Sequence, residues 1–202
     1  MYTNVYDPKP RRDAEDRSSP ARSFNSFSLG LSLRSARSRD QRIPRCPQHS
    51  QQISKGTFVA KGRKMPAAKT PIPNLTWNCS MAELAQKVSD KCVMAHSDDA
   101  TRPNIGENLF NFWSSNKLSI NNSSREASEF WANEFQQYGW ADGPKFTGTI
   151  GGIGHATQMA WAKSKQLGCG ISFCGNERKK IFVACHYGPN GNFVGSNVYD
   201  PK

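Results

Sequence analysis

Residues 167–187 read Leu-Gly-Cys-Gly-Ile-Ser-Phe-Cys-Gly-Asn-Glu-Arg-Lys-Lys-Ile-Phe-Val-Ala-Cys-His-Tyr, two β-rich runs around the polar turn Gly175-Asn176-Glu177-Arg178. The pattern predicts strands over Leu167–Cys174 and Lys180–Tyr187. In a hairpin centred on Glu177, facing positions sum to a constant, which pairs Phe173 with Ile181, Ile171 with Val183 and Cys169 with Cys185. The apolar register and a cross-strand disulfide therefore agree.

Upstream of the hairpin, a glycine-rich loop from Thr147 to Gly154 leads into a short helix through His155, Met159 and Ala162. Earlier still, Ser80-x-x-Glu83 reads as a capping box that opens a helix with Leu84, Val88 and Cys92 on one face. Ser123-x-x-Glu126 reads as a second box. Its helix carries the apolar stripe Ala127, Phe130, Trp131, Phe135 and Tyr138, and Glu134 falls inside that stripe. An acid there needs a donor or a cation as compensation. Gly56 to Trp77, with Pro66, Pro71 and Pro73, reads as an irregular extended stretch.

Residues 1–50 are polar, rich in Arg, Ser and Pro, and without apolar periodicity, so they are expected to be a disordered basic tail, with the folded domain spanning 51–202. Asn4–Lys9 and Asn197–Lys202 both spell Asn-Val-Tyr-Asp-Pro-Lys. The first copy reads as the end of a preceding copy of the domain, through a tandem arrangement or a mis-joined gene model.

The chain carries a formal net charge of +11 over 202 residues. Ten Lys/Arg against five Asp/Glu lie in residues 1–50, and the rest of the excess is spread without a basic cluster interleaved with aromatics. A solvated basic surface accounts for that distribution, and no nucleic-acid partner is expected. The run Phe27–Leu33 is too short and too broken by serine to export or span anything, so no transmembrane segment is expected. Five of the six cysteines (Cys79, Cys92, Cys169, Cys174, Cys185) lie in the C-terminal two thirds with no C-x-x-C pair, which favours disulfides over a zinc ribbon. The sequons at Asn74, Asn78, Asn121 and Asn122 fit an extracellular protein. The expected location is secreted, with the signal peptide absent from this sequence.

Several short motifs now resemble, in order and spacing, those of the CAP superfamily of cysteine-rich secretory, antigen 5 and pathogenesis-related proteins. They are Gly154-His155-Ala156-Thr157-Gln158-Met159-Ala160-Trp161, the strand end Val183 to Asn192, Gly168-Cys169-Gly170, His96-Ser97, Gly106-Glu107-Asn108-Leu109 and Trp131-x-x-Glu134. The stretch Lys61 to Cys92 is most similar to the nematode secreted, activation-associated branch. The resemblance implies an α+β fold, a three-layer α-β-α sandwich with a large cleft, and covers roughly Lys55 to Lys202. It implies disulfides Cys169–Cys185 and Cys92–Cys174. It also implies a first helix that is incomplete here, because Cys46-Pro47-Gln48-His49-Ser50-Gln51 replaces the family's helix start. Ala156 stands where the family carries an aromatic.

The resemblance carries four cleft residues onto His96, Glu107, Glu134 and His155. Two neutral imidazoles offer lone pairs to a divalent ion such as zinc, while two carboxylates orient the rings or hold a bound water. Without metal, the same groups satisfy one another by hydrogen bonds. The family implies binding of extracellular or host proteins, or of a sterol or other lipid, and in the loop Asp142 to Ile153 the residues Pro144, Phe146 and Ile150 are expected to form an apolar lip for a sterol. The alternative is a metal-dependent peptidase or esterase in the same cleft, although neither an H-E-x-x-H helix nor a G-x-S-x-G elbow is present.

Overall fold

A computed structural model of the chain describes residues 47–148 and 152–202. The elements run α1 (Pro47–Lys55), β1 (Val59–Ala60), β2 (Arg63–Lys64), β3 (Thr76–Trp77), α2 (Cys79–Ser89), a 3-10 turn (Asp99–Thr101), β4 (Gly106–Trp113), α3 (Ile120–Tyr138), α4 (Gly154–Ala160), β5 (Gln166–Cys174) and β6 (Lys180–Gly188). The main sheet has the order β3-β5-β6-β4, so β4 is an edge strand, and β1 with β2 forms a separate ribbon.

The hairpin stands in the expected register, with Cys169 facing Cys185, Ile171 facing Val183 and Phe173 facing Ile181. Period-two alternation along β6 then builds two cores. Val183, Cys185 and Tyr187 meet Phe110, Ala127 and Trp131 on one face of the sheet. Phe182 and Ala184 meet Leu109, Ala85 and Val88 on the other. Helix α2 thus covers one face and α3 the other, the expected α-β-α sandwich. Gly170 permits the close approach of α2, since a Cβ there would sit 2.3 Å from the Gln86 backbone. A third cluster joins Ile53, Phe58, Phe135, Phe146, Trp161 and Tyr199 on the outer side of α3 and α4.

Disulfides join Cys92 to Cys174 and Cys169 to Cys185. Cys79 is exposed and has no disulfide partner among the described residues, and Cys46 lies outside them.

Both helix starts move upstream of the boxes read from the sequence. Asn78, extended at φ −120°, caps α2 by accepting the Met81 amide, and Ser119 caps α3 by accepting the Asn122 amide. Ser123 instead lies buried inside α3. The stripe on α3 is narrower than expected, because Phe130 and Tyr138 are exposed at its margins. Helix α1 begins at Pro47, within the stretch assigned to the tail, with proline at a first-turn position that needs no donor and Ile53 fully buried. The rest of the expected tail, including Asn4–Lys9, lies outside the described residues. Among the described residues no helix is long and apolar enough to cross a membrane.

Candidate functional site

Three successive residues of the edge strand β4 organise the site. Glu107 faces His186 in the ladder between β4 and β6, and its Oε2 accepts from His186 Nε2 at 2.9 Å. Its Oε1 accepts from His96 Nδ1 and from the Ser97 amide, each at 2.9 Å. Ser97 Oγ donates to Oε2 at 2.8 Å. The next residue, Asn108, donates through Nδ2 to the His155 carbonyl at 3.1 Å. The Leu109 carbonyl then accepts the Trp131 indole N–H at 3.1 Å, and Trp131 stacks on the His155 ring with centroids 5.9 Å apart. One strand therefore ties both the loop that carries His96 and the helix that carries His155.

Glu134, inside the buried stripe of α3, accepts from His155 Nδ1 at 2.5 Å through Oε1 and from the Ala156 amide at 2.9 Å through Oε2. That is the compensation an interior acid requires. Gln158 anchors the same short helix: its Oε1 accepts the Gly191 amide at 2.9 Å and its Nε2 donates to Ser164 Oγ at 3.1 Å.

Each site histidine thus meets a carboxylate through Nδ1, which places the proton on Nδ1 and the lone pair on Nε2. Burial alone would raise the Glu107 pKa, but hydrogen bonds from His186, His96 and Ser97 outweigh it and hold the carboxyl well below the usual range. Arg102 braces the loop by donating to Ser97 Oγ at 3.0 Å, to the Ile105 carbonyl at 2.6 Å and to the Ser97 carbonyl at 3.2 Å.

The four residues named from the sequence therefore form two His–Glu pairs, His96–Glu107 and His155–Glu134. Among the described residues no three of His, Cys, Asp and Glu are grouped to hold a metal ion, so the shared four-residue set has no support from the geometry. The apolar lip loses its central member: Phe146 is 2 % exposed and packs edge-on to Trp161. Pro144 is half-buried and spends its carbonyl on the Val198 amide at 2.8 Å, while Ile150 lies outside the described residues. A shallow pocket with an enclosed volume of only about 10 Å³ lies elsewhere, among α1, α3 and α4, lined by His49, Ala132, Phe135, Ala156, Met159 and Ala160.

Sequence reading missed His186, Ser97 and Arg102. Reading Gly106–Trp113 as a strand antiparallel to the hairpin was the signal available for His186, because that register sets it beside Glu107.

The model of a family described as CAP, cysteine-rich secretory protein family, matches residues 34–187. The Ancylostoma secreted protein of Ancylostoma caninum is 34 % identical over 130 residues, which is 62 % of this chain and 30 % of that protein. The chain thus spans under a third of that relative's length. Among solved structures, BmVAL-1 superposes with a TM-score of 0.69 at 30 % identity, covering 77 % of this chain and 80 % of that one. NaASP2, in a crystal structure with Zn2+, superposes at 0.68 with 29 % identity, covering 76 % of this chain and 80 % of that one.

Proposed function

Since this chain belongs to the cysteine-rich secretory protein (CAP) family, we propose that it is a secreted binding protein whose two-histidine site takes a divalent metal and whose partner is an extracellular protein or a lipid. One observation carries the metal reading: His96 and His155 each spend Nδ1 on a carboxylate, which leaves two Nε2 lone pairs with fixed direction. A histidine held by a carboxylate through Nδ1 is the form in which zinc-binding histidines commonly occur, and the similarity to NaASP2 in a structure with Zn2+ supports the reading. His96 and His155 would hold the ion, which would supply a Lewis-acid anchor for an oxygen or nitrogen of the partner. Two disulfides support an oxidising, extracellular setting.

The lipid reading draws on the alanine-lined pocket beside α4. Its test is a fluorescent fatty acid and a sterol titrated into wild type and Ala156→Phe: binding that weakens in the variant supports a lipid in this pocket, and equal binding removes it. A panel of ester and peptide substrates, with and without zinc, separates binding from hydrolysis. Zinc-dependent turnover lost in Glu134→Ala would overturn a binding-only function.

A further inference from the structure

We infer that the two glutamates of the site have unequal roles, and that His186 is the positioning residue that makes them so. A carboxylate offers about four acceptor positions, two on each oxygen. On Glu107 all four are taken: His96 Nδ1–H and the Ser97 amide on Oε1, Ser97 Oγ–H and His186 Nε2–H on Oε2. Its side chain is 0 % exposed. Glu107 therefore has no acceptor left for a metal ion, a metal-bound water or an N–H of a ligand. Glu134 accepts one donor on each oxygen, His155 Nδ1–H and the Ala156 amide, and keeps two positions open. Of the pair, Glu134 is the one that can accept from a water or hydroxyl brought into the site, and Glu107 serves only to aim His96.

A buried histidine often serves packing alone, but His186 does not fit that role well. It is 1 % exposed, and its Nδ1 is buried without a partner among the described residues. An apolar side chain of similar size would avoid that penalty. What the ring supplies instead is the fourth donor on Glu107. Without it, Oε2 has a free acceptor position, the carboxylate is held only by Ser97 and His96, and the Nδ1–H tautomer of His96 has a less firmly fixed partner.

The inference deepens the metal reading and rests on it only for the zinc arm of the test. Nitrogen NMR of the full, metal-free chain reports the ring tautomers of His96 and His155 directly. In wild type both rings should be Nδ1–H. In His186→Leu, His96 should become a mixture of tautomers while His155 stays unchanged, and His186→Gln, which keeps an N–H donor, should restore part of the wild-type state. His186→Asn, polar but too short to reach Glu107, gives the same reading if the leucine variant does not fold. Zinc affinity should fall about 10- to 100-fold in His186→Leu. An unchanged His96 tautomer in both the Leu and Asn variants would overturn the role of His186. If wild type takes no zinc, the metal reading fails while the tautomers still decide this inference.

Discussion

The Glu134 carboxylate lies 2.5 Å from Nδ1 of His155 and also accepts the Ala156 amide, so one side chain on α3 holds the first turn of α4 in place. Truncation to alanine would leave a ring N–H and a backbone N–H without an acceptor, each costing about 1–3 kcal/mol when buried. Glu134→Ala is therefore expected to lower unfolding stability in urea by about 2–4 kcal/mol. Glu134→Gln, which keeps an acceptor oxygen, should lose less. Equal losses would mean that the charge, not the hydrogen bonds, matters at this position.

The two disulfides should contribute unequally. Cys92–Cys174 closes a separation of 82 residues and Cys169–Cys185 one of 16. In the chain-entropy picture these are worth about 4.5 and about 3 kcal/mol. Paired serine substitution of Cys92 and Cys174 should thus lower the melting temperature further than the same change at Cys169 and Cys185. The opposite order would show that the cross-strand bond carries native-state packing that loop closure does not capture.

Acid should act through Glu107. Its folded-state pKa lies well below the ordinary glutamate value of about 4.5, because hydrogen bonds from His186, His96 and Ser97 outweigh the burial that opposes ionisation. The resulting stability is present above about pH 4.5 and is lost as pH falls towards the folded-state pKa. Melting temperature measured down through that range should fall more steeply in wild type than in Glu107→Gln, whose amide does not titrate. Parallel curves would contradict this assignment.

Alkali should act through Tyr199. Burial pushes its pKa up to about 12, and its hydroxyl donates to the Pro66 carbonyl at 2.9 Å. A raised folded-state pKa gives stability that is complete below the ordinary tyrosine value near 10 and is lost as pH rises towards 12. Tyr199→Phe should lose stability at neutral pH yet be less sensitive to alkali across that window. A wild-type melting curve that stays flat there would contradict it.

The hairpin was legible because three signals coincided: β-branched and aromatic residues, a polar turn and two cysteines at mirror positions. Glu134 was legible because an acid inside an apolar stripe is costly unless compensated. Helix starts were not, since Asn78 and Ser119 compete with Ser80 and Ser123 for the same capping role, and burial inside α3 removed Ser123 from contention. Phe146 was read as a lip because it sits in a glycine-rich loop, whereas a single aromatic in such a loop gains more by packing into the core beside Trp161. His186 stayed hidden because its partner is set by a strand pairing nearly eighty residues away in sequence, which local periodicity does not report.

The metal site itself is tested most directly by zinc titration calorimetry at neutral pH on the full chain and on the His96→Ala, His155→Ala double variant. One zinc ion per wild-type chain, with binding abolished in the double variant and weakened as pH drops and the imidazoles protonate, is the expected result. Equal binding by both proteins, or none by wild type, would contradict a two-histidine metal site and leave the His96–Glu107 and His155–Glu134 pairs as hydrogen bonds that shape the fold.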